Sequence, residues 1–154
     1  MEPADFLTKE GKKKVTEAIK EAELNTSGEI RVHIEDKCKV DVLDRAAYLF
    51  KKLGMQKTEL RNGVLIYLAY GDRKFAVLGD VGINQKVTEN FWDDISQKMK
   101  GLFQEERFAV GLSTGIIMAG EALKEHFPYQ KDDINELSND ISFGKNKQDE
   151  PKHD

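Results

Sequence analysis

Apolar residues change from helical spacing to strand spacing along this chain, and these changes predict its elements. Between positions 8 and 24 they recur every three or four residues, as on one face of a helix. Positions 29–35 alternate between apolar and polar, which predicts a strand with one buried face and one partly covered face. Positions 64–70 are apolar almost throughout, as in a central strand that is covered on both faces.

The remaining segments predict the order helix, strand, helix, strand, strand, helix, helix. Asp41 is a predicted N-cap of the second helix, which should end near Gly54. Positions 74–78 predict a third strand, close enough to the second for a hairpin. Two helices follow, the first capped by Thr88 and the last running from about 105 to 126. The helix between the first two strands predicts a parallel crossover, so the sheet should be mixed.

These elements predict an α/β fold, a three-layer α/β/α sandwich around a small mixed sheet of three to four strands. The fourth strand could come from either end of the chain. Residues 1–128 are expected to form the domain, and residues 129–143 a C-terminal extension that packs on the domain or docks on a partner. Residues 144–154 are polar throughout and are expected to form a disordered tail.

Composition and charge narrow the class of protein. The 154 residues are 39% hydrophobic and 34% charged, which is typical of one ordinary globular domain with a charged surface. The net charge of −4 argues against nucleic acid as a main partner. The longest apolar run is far shorter than the ~20 residues of a membrane span, and the N-terminus lacks the apolar stretch of a secretion signal. We therefore expect a cytoplasmic protein without a membrane span.

Common catalytic templates are absent from the sequence. It contains no Gly-rich phosphate loop of the Walker type and no G-x-S-x-G elbow. His33, His126 and His153 lie far apart in different segments, which argues against a histidine-rich transition-metal site. Cys38 lies between two lysines in a predicted surface loop and is interpreted as a structural residue, not as a nucleophile.

Carboxylates are the remaining chemical resource, and they suit calcium or magnesium, which bind oxygen ligands. A hairpin of the second and third strands places Asp80 beside Asn62, and a parallel first strand brings Glu29 to the same sheet end. Glu89, in the predicted first turn of the next helix, should approach the same cleft. We therefore predict a divalent-cation site formed by Glu29, Asn62, Asp80 and Glu89. Alternatively, the helix N-terminus and Arg61 could hold a phosphate group.

The opposite sheet end offers a second set of carboxylates, Asp36, Asp41, Asp44 and Asp72. Structural interpretations account for most of them, since Asp41 is a predicted cap, Asp44 lies in a first helical turn and Asp72 lies in a tight turn. Asp80 has no such ready explanation, because it interrupts a passage from apolar residues to glycines. The Asp80 end is therefore the preferred location.

Five short segments, taken in their order along the chain, carry a family resemblance. Positions 61–69 read Arg-Asn-Gly-Val-Leu-Ile-Tyr-Leu-Ala, followed by Asp-Arg-Lys at 72–74 and Gly-Asp-Val-Gly-Ile at 79–83. Ser-Gly-Glu-Ile at 27–30 precedes the first strand, and positions 103–111 precede the last helix. This ordered set, spread over roughly positions 8–128, resembles the TPM domain family.

The resemblance implies a compact α/β/α sandwich and a range of functions. Members of that family include thylakoid-lumen proteins linked to photosystem II repair and modulators of acetylcholine receptors. Binding of calcium or other divalent metals, and an acid phosphatase activity, are associated with members. From this sequence we expect none of the secretion signal, membrane anchor and glycine-rich tail that are common among relatives. It also reads Leu-Gly-Asp-Val-Gly at 78–82, where many members have a valine-glycine-tyrosine-glycine run, and these departures argue against a membrane-linked role.

Three functional hypotheses follow. The first is a regulatory domain that binds calcium or magnesium. The second is a metal-assisted acid phosphatase, in which the ion polarises a phosphoryl oxygen or activates water. The third is a non-catalytic protein-interaction module, with the aromatic and acidic segment 127–143 as the docking surface for a protein partner. The first two predict that Asp80→Asn abolishes cation effects, and the third predicts that it changes nothing.

Overall fold

The computed structural model of the chain describes residues 1–129 and 140–144. The first half contains α1 (Lys9–Glu23), β1 (Glu29–Glu35), α2 (Val42–Lys52) and β2 (Gly63–Ala69). There follow β3 (Lys74–Gly79), α3 (Val81–Asn84), α4 (Phe91–Gln104), α5 (Phe108–His126) and β4 (Ser142–Phe143). Short 3-10 turns lie at Pro3–Asp5 and Met55–Lys57.

The four strands form one mixed sheet in the order β3-β2-β1-β4. β1 and β2 are parallel, with Glu29 opposite Gly63, and α2 makes the crossover between them. β2 and β3 form an antiparallel hairpin, and β4 pairs in parallel with the other edge of β1, where Ser142 lies opposite His33. The predicted mixed sheet is confirmed, and its fourth strand comes from the C-terminal part of the chain.

Helices cover both faces of the sheet. On one face, α1, α4 and α5 pack on alternate residues of β1 and β2 such as Ile30 and Ile66. On the other face, α2 and the turn that follows it pack on the intervening residues of β2, including Leu65 and Tyr67. Full burial of a large apolar side chain stabilises a fold by about 1.5–3 kcal/mol, so these two clusters supply the main stabilisation. The predicted α/β/α sandwich is therefore confirmed.

β1 departs from its predicted one-sided burial. Glu29, His33 and Glu35, on its polar face, are each at most 5% exposed. The face is more fully covered than predicted, with only Arg31 half-buried, because neighbouring elements contact it. The side chains that contact Glu35 and His33 are Arg45 of α2, Tyr67 of β2 and Ser142 of β4. The alternation of polar residues in this strand marks a buried polar layer and not a solvated one.

The segment between β3 and α4 also differs from the prediction. A short helix, α3, begins directly after Asp80, where no helix was predicted. α4 begins at Phe91 with Asn90 as its N-cap residue, so the predicted cap at Thr88 is wrong. The backbone carbonyl of Thr88 instead accepts the amide of Phe91 at 3.1 Å in a turn before the helix.

Candidate functional site

Asp80 ends β3 and caps α3, and both of its carboxylate oxygens accept hydrogen bonds. Oδ1 accepts the Val81 amide at 2.7 Å and Arg61 Nη2 at 2.8 Å, while Oδ2 accepts Arg61 Nε at 2.7 Å. Arg61 reaches Asp80 from a left-handed backbone conformation with φ of 52°. The bond to Asp80 raises the pKa of the Arg61 guanidinium, which keeps Arg61 protonated. Asp80 therefore anchors the loop before β2 to the start of α3.

Glu29 and Asn62 lie side by side at the start of β1 and β2, as predicted. The Glu29 amide donates to the Asn62 carbonyl at 3.4 Å, and Asn62 Nδ2 donates to Ser27 Oγ at 3.4 Å. Asn62 is only 1% exposed, and its Oδ1 accepts no hydrogen bond from the described part of the chain. A buried polar atom without a hydrogen bond destabilises the folded state by about 1–3 kcal/mol. The side-chain oxygen of Asn62 would therefore gain from a ligand that binds it.

Glu23 joins this corner, although sequence reasoning missed it. It is the last residue of α1, and its Oε2 accepts the Ile30 amide at 2.7 Å. Burial raises the pKa of Glu23 to about 8 against the opposing effect of that hydrogen bond, and the charge of Glu29 raises it further. Two carboxylates and the Asn62 amide oxygen thus belong to one corner of the fold. The sequence offers one signal that Glu23 lies near the start of β1, namely its position just before the turn at 25–28.

Glu89 does not share this corner. It is exposed and precedes α4, which begins two residues later, so the prediction that placed it in the first turn of that helix is wrong. The acidic residues that do occupy the first turn are Asp93 and Asp94. Of the four predicted ligands, the structure places Glu29 and Asn62 together, ties Asp80 to Arg61, and leaves Glu89 on the surface.

The aspartates at the opposite sheet end have structural roles. Asp41 caps α2 by accepting the Asp44 amide at 3.2 Å, and Asp44 lies in the first turn of that helix. Asp72 accepts the Cys38 amide at 2.7 Å and so ties the β2–β3 turn to the loop after β1. Asp36, which is partly buried, follows β1 at the same end. The interpretation of Asp41, Asp44 and Asp72 as cap, first-turn and turn residues is confirmed.

Cys38 is buried, which corrects its predicted position in a surface loop. It is 3% exposed, and its Sγ donates to the carbonyl of Val40 at 3.2 Å. Its own carbonyl accepts Lys74 Nζ at 3.2 Å. These contacts agree with its interpretation as a structural residue.

A buried polar network occupies the polar face of β1 at its C-terminal end. Glu35 accepts hydrogen bonds from Arg45 Nε at 2.7 Å and Arg45 Nη2 at 2.6 Å, and from the hydroxyl of Tyr67. His33 Nε2 lies 3.4 Å from Glu35 Oε1, and His33 Nδ1 lies 2.9 Å from Ser142 Oγ. The network connects α2, three strands and the polar face of the sheet.

The electrostatics of this network keep its carboxylate ionised. Burial by itself would raise the pKa of Glu35, but hydrogen bonds from Arg45, His33 and Tyr67 outweigh burial and hold it well below its usual range. Burial raises the pKa of Tyr67, and the adjacent Glu35 raises it further, so the phenol stays protonated. Sequence reasoning missed this network because its members come from four separate elements, α2, β1, β2 and β4. The one available signal was a tyrosine inside the otherwise apolar strand β2.

Neither sheet end holds a dense cluster of charged metal ligands. Within residues 1–129 and 140–144, no three His, Cys, Asp or Glu side chains converge as a metal site. Any cation site at the start of β1 must therefore combine its two carboxylates with neutral oxygens, as calcium and magnesium sites commonly do.

The family model of the TPM domain matches residues 1–122. The chain belongs to the TPM domain family. It is also similar to the BA42 protein of the psychrophilic bacterium Bizionia argentinensis, whose NMR structure is 50% identical in sequence with a TM-score of 0.84. That match covers 90% of this chain and 96% of BA42. The resemblance inferred from five sequence segments is confirmed.

More distant structures share the fold of this TPM domain. The N-terminal domain of a P. gingivalis protein is 19% identical with a TM-score of 0.66, over 82% of this chain and 84% of that one. The N-terminal domain of cg2496 from Corynebacterium glutamicum is 14% identical with a TM-score of 0.61, over 76% and 74%. No curated protein matches the chain. Among the described helices, none is both long and apolar enough to cross a membrane.

Proposed function

We propose that this TPM domain binds a divalent cation, calcium or magnesium, at the corner where β1 begins. The ligands are the carboxylates of Glu23 and Glu29 and the side-chain oxygen of Asn62. One observation carries the proposal: Asn62 Oδ1 is buried without a hydrogen-bond donor from the described residues, and at the same corner of the fold the charge of Glu29 repels the ionised form of Glu23. A hard cation would engage that oxygen and offset the repulsion together.

The raised pKa of Glu23 supports this assignment and predicts how binding depends on pH. With a pKa of about 8, Glu23 holds a proton at neutral pH, and the proton takes the place that a cation would fill. A carboxylate must lose its proton to ligate a metal, so cation binding should release a proton and become tighter as pH rises toward 8. A site made only of exposed carboxylates would show no such dependence in that range.

The proposed site retains half of the set predicted from the sequence. Glu29 and Asn62 remain, while Glu23 replaces Asp80 and Glu89. Asp80 is compensated by Arg61, and Glu89 lies on the surface. The hydroxyl of Ser27, which accepts a hydrogen bond from Asn62, is a further neutral oxygen at the same corner.

The test is a calcium and magnesium titration of isotope-labelled protein at pH 7.5, followed by backbone amide NMR shifts. Saturable shifts are expected at residues 23, 27–30 and 61–63. Asn62→Leu, which keeps the buried volume and removes the oxygen, should weaken binding at least tenfold. Glu29→Gln should do the same, whereas the matched control Glu21→Gln, on the exposed side of α1, should not.

Two outcomes would contradict the proposal: no saturable shift at millimolar ion, or equal affinity in the Asn62→Leu variant and the unmodified protein. Saturable shifts confined to residues 36–44 and 72 would move the site to the opposite sheet end. The acid phosphatase, the regulatory role, the protein partner and the cytoplasmic location stay predictions. A phosphomonoester assay with and without magnesium, repeated on Asn62→Leu, tests the first of them.

A further inference from the structure

A cleft of about 550 Å³ opens at the sheet end remote from the proposed cation site. It lies between the β2–β3 hairpin, the C-terminal end of α4 and the start of α5. We name it the aromatic cleft, and its principal lining residues are Tyr70, Arg73, Phe75, Lys100, Phe103 and Phe108. Its volume falls within the range of about 300–1,000 Å³ that small-molecule sites occupy.

The apolar wall of the aromatic cleft is held in place by ring contacts. Phe103 packs edge-on against Phe75 with ring centroids 5.0 Å apart, and its centroid lies 5.7 Å from that of Phe108. Tyr70 stacks on Phe6 at 4.2 Å behind the same wall. These rings remain only partly buried, so they present a preformed apolar surface to a ligand.

The charges around the aromatic cleft favour an anion. Arg73 and Lys100 are exposed, and neither has an ion-pair partner within the described part of the chain. Of the two acidic residues that line the cleft, Glu105 is paired with Arg107 at 3.6 Å, which leaves Glu106 as the opposing charge. Two cations without ion-pair partners among the described residues, opposed by the single carboxylate of Glu106, give the cleft a net positive charge beside an apolar wall. This combination matches a ligand with one negative head and an apolar body.

We propose that the aromatic cleft binds a carboxylate with an apolar chain, of the size of a medium-chain fatty acid. The chain lies against Phe75, Phe103 and Phe108, and the carboxylate faces Arg73 and Lys100. This site is separate from the proposed cation site and does not depend on it. The occupant is a free small molecule because the cleft is of ligand size and its wall is concave, unlike the flat surface of a protein interface.

The experiment uses sodium decanoate below its micelle concentration, titrated into labelled protein in EDTA and followed by amide NMR shifts. Saturable shifts are expected at residues 68–75 and 100–108. The double variant Arg73→Asn with Lys100→Gln should raise the dissociation constant about threefold to tenfold, the range for loss of two exposed charge contacts. Asn is chosen at 73 because the backbone there is left-handed, with φ of 54°. Lys98→Gln, on the same helix outside the cleft, is the matched control.

Each alternative result overturns the proposal. Equal binding of decanol would show that the cations do not recognise the head group. Unchanged affinity in the double variant would show the same, provided that its amide spectrum is that of the folded protein. Shifts in the aromatic cleft that depend on protein concentration without ligand would assign it to a second copy of the chain. The absence of a saturable shift at millimolar decanoate would show that the aromatic cleft does not bind a carboxylate of this kind.

Discussion

Replacing Glu23 with Gln tests whether the carboxylate at the end of α1 keeps a proton at neutral pH. The pKa of Glu23 in the folded protein is about 8, raised from an ordinary 4.5 chiefly by burial. Because the folded state binds this proton more tightly than the unfolded state, protonation of Glu23 stabilises the fold. That contribution is complete below pH 4.5 and is lost as pH rises toward 8. The glutamine keeps an oxygen that can accept the Ile30 amide but has no proton to lose.

The size of the effect follows from the separation of the two pKa values. Between them, each unit of pH changes the free energy of unfolding by about 1.4 kcal/mol. From pH 5.5 to pH 7.5 the loss would reach about 2.7 kcal/mol, and partial exposure of Glu23 reduces it to about 1–2 kcal/mol. The Glu23→Gln variant should lack this part of the pH dependence. In the absence of cation it should therefore be more stable than the unmodified protein at pH 7.5.

The assay is urea unfolding in EDTA at pH 5.5, 6.5 and 7.5, followed by the fluorescence of Trp92, the single tryptophan. Glu21→Gln, which removes an exposed charge from the same helix, controls for a general charge effect. Parallel stability curves for Glu23→Gln and the unmodified protein would refute the reasoning. Calcium added at ten times its dissociation constant should stabilise the unmodified protein at pH 7.5 by about 1.4 kcal/mol. The pH dependence in EDTA tests the raised pKa of Glu23, and the stabilisation by calcium tests cation binding. Either prediction can therefore be wrong while the other is confirmed.

Three further substitutions test the packing and the buried charges. Arg45→Met leaves Glu35 ionised and buried without its guanidinium, so urea unfolding should show a loss of about 3–5 kcal/mol. Gly79→Ala should lower the thermal midpoint by the equivalent of about 1–3 kcal/mol, because the added methyl group meets the Trp92 ring, and an unchanged midpoint would contradict this packing. Gly101→Ala, in α4 with nothing within 4 Å of the added methyl group, should stabilise the protein by about 0.5–1 kcal/mol in the same assay.

The strands and the long helices could be predicted from the sequence because their signals are local. The period of two in β1 and the continuous apolar run of β2 each lie within one segment, and the structure places both strands within one residue of the prediction. The failures concern short helices and caps. The sequence pattern predicts no helix at 79–82, although Asp80 is a preferred N-cap residue and begins α3. Thr88 was chosen as a cap on residue type alone, and tertiary packing begins α4 at Phe91 instead.

The candidate site could be predicted only in part because ion pairs depend on which side chains face each other in space. The predicted parallel pairing of β1 and β2 correctly places Glu29 next to Asn62, because both residues lie at the start of their strands. No local pattern shows that Arg61 turns back to neutralise Asp80 from a left-handed backbone. Glu23 was missed because it belongs to a helix with many exposed charges, and only the fold shows that its carboxylate is turned toward β1.

Two carboxylates near opposite ends of β1, the buried Glu35 and the half-buried Glu23, offset the cost of leaving water in different ways. A carboxylate without a counter-charge is costly in a protein interior, so it must gain a cation or keep a proton. At the C-terminal end of the strand, Glu35 has a permanent cation in Arg45, and its pKa is low. At the other end, Glu23 has no arginine partner among the described residues, and burial raises its pKa to about 8. The proposed cation would take the place of the proton that Glu23 holds at neutral pH. Glu35 already has Arg45 as its counter-charge, and this difference is why we propose the start of β1, and not its end, as the cation site.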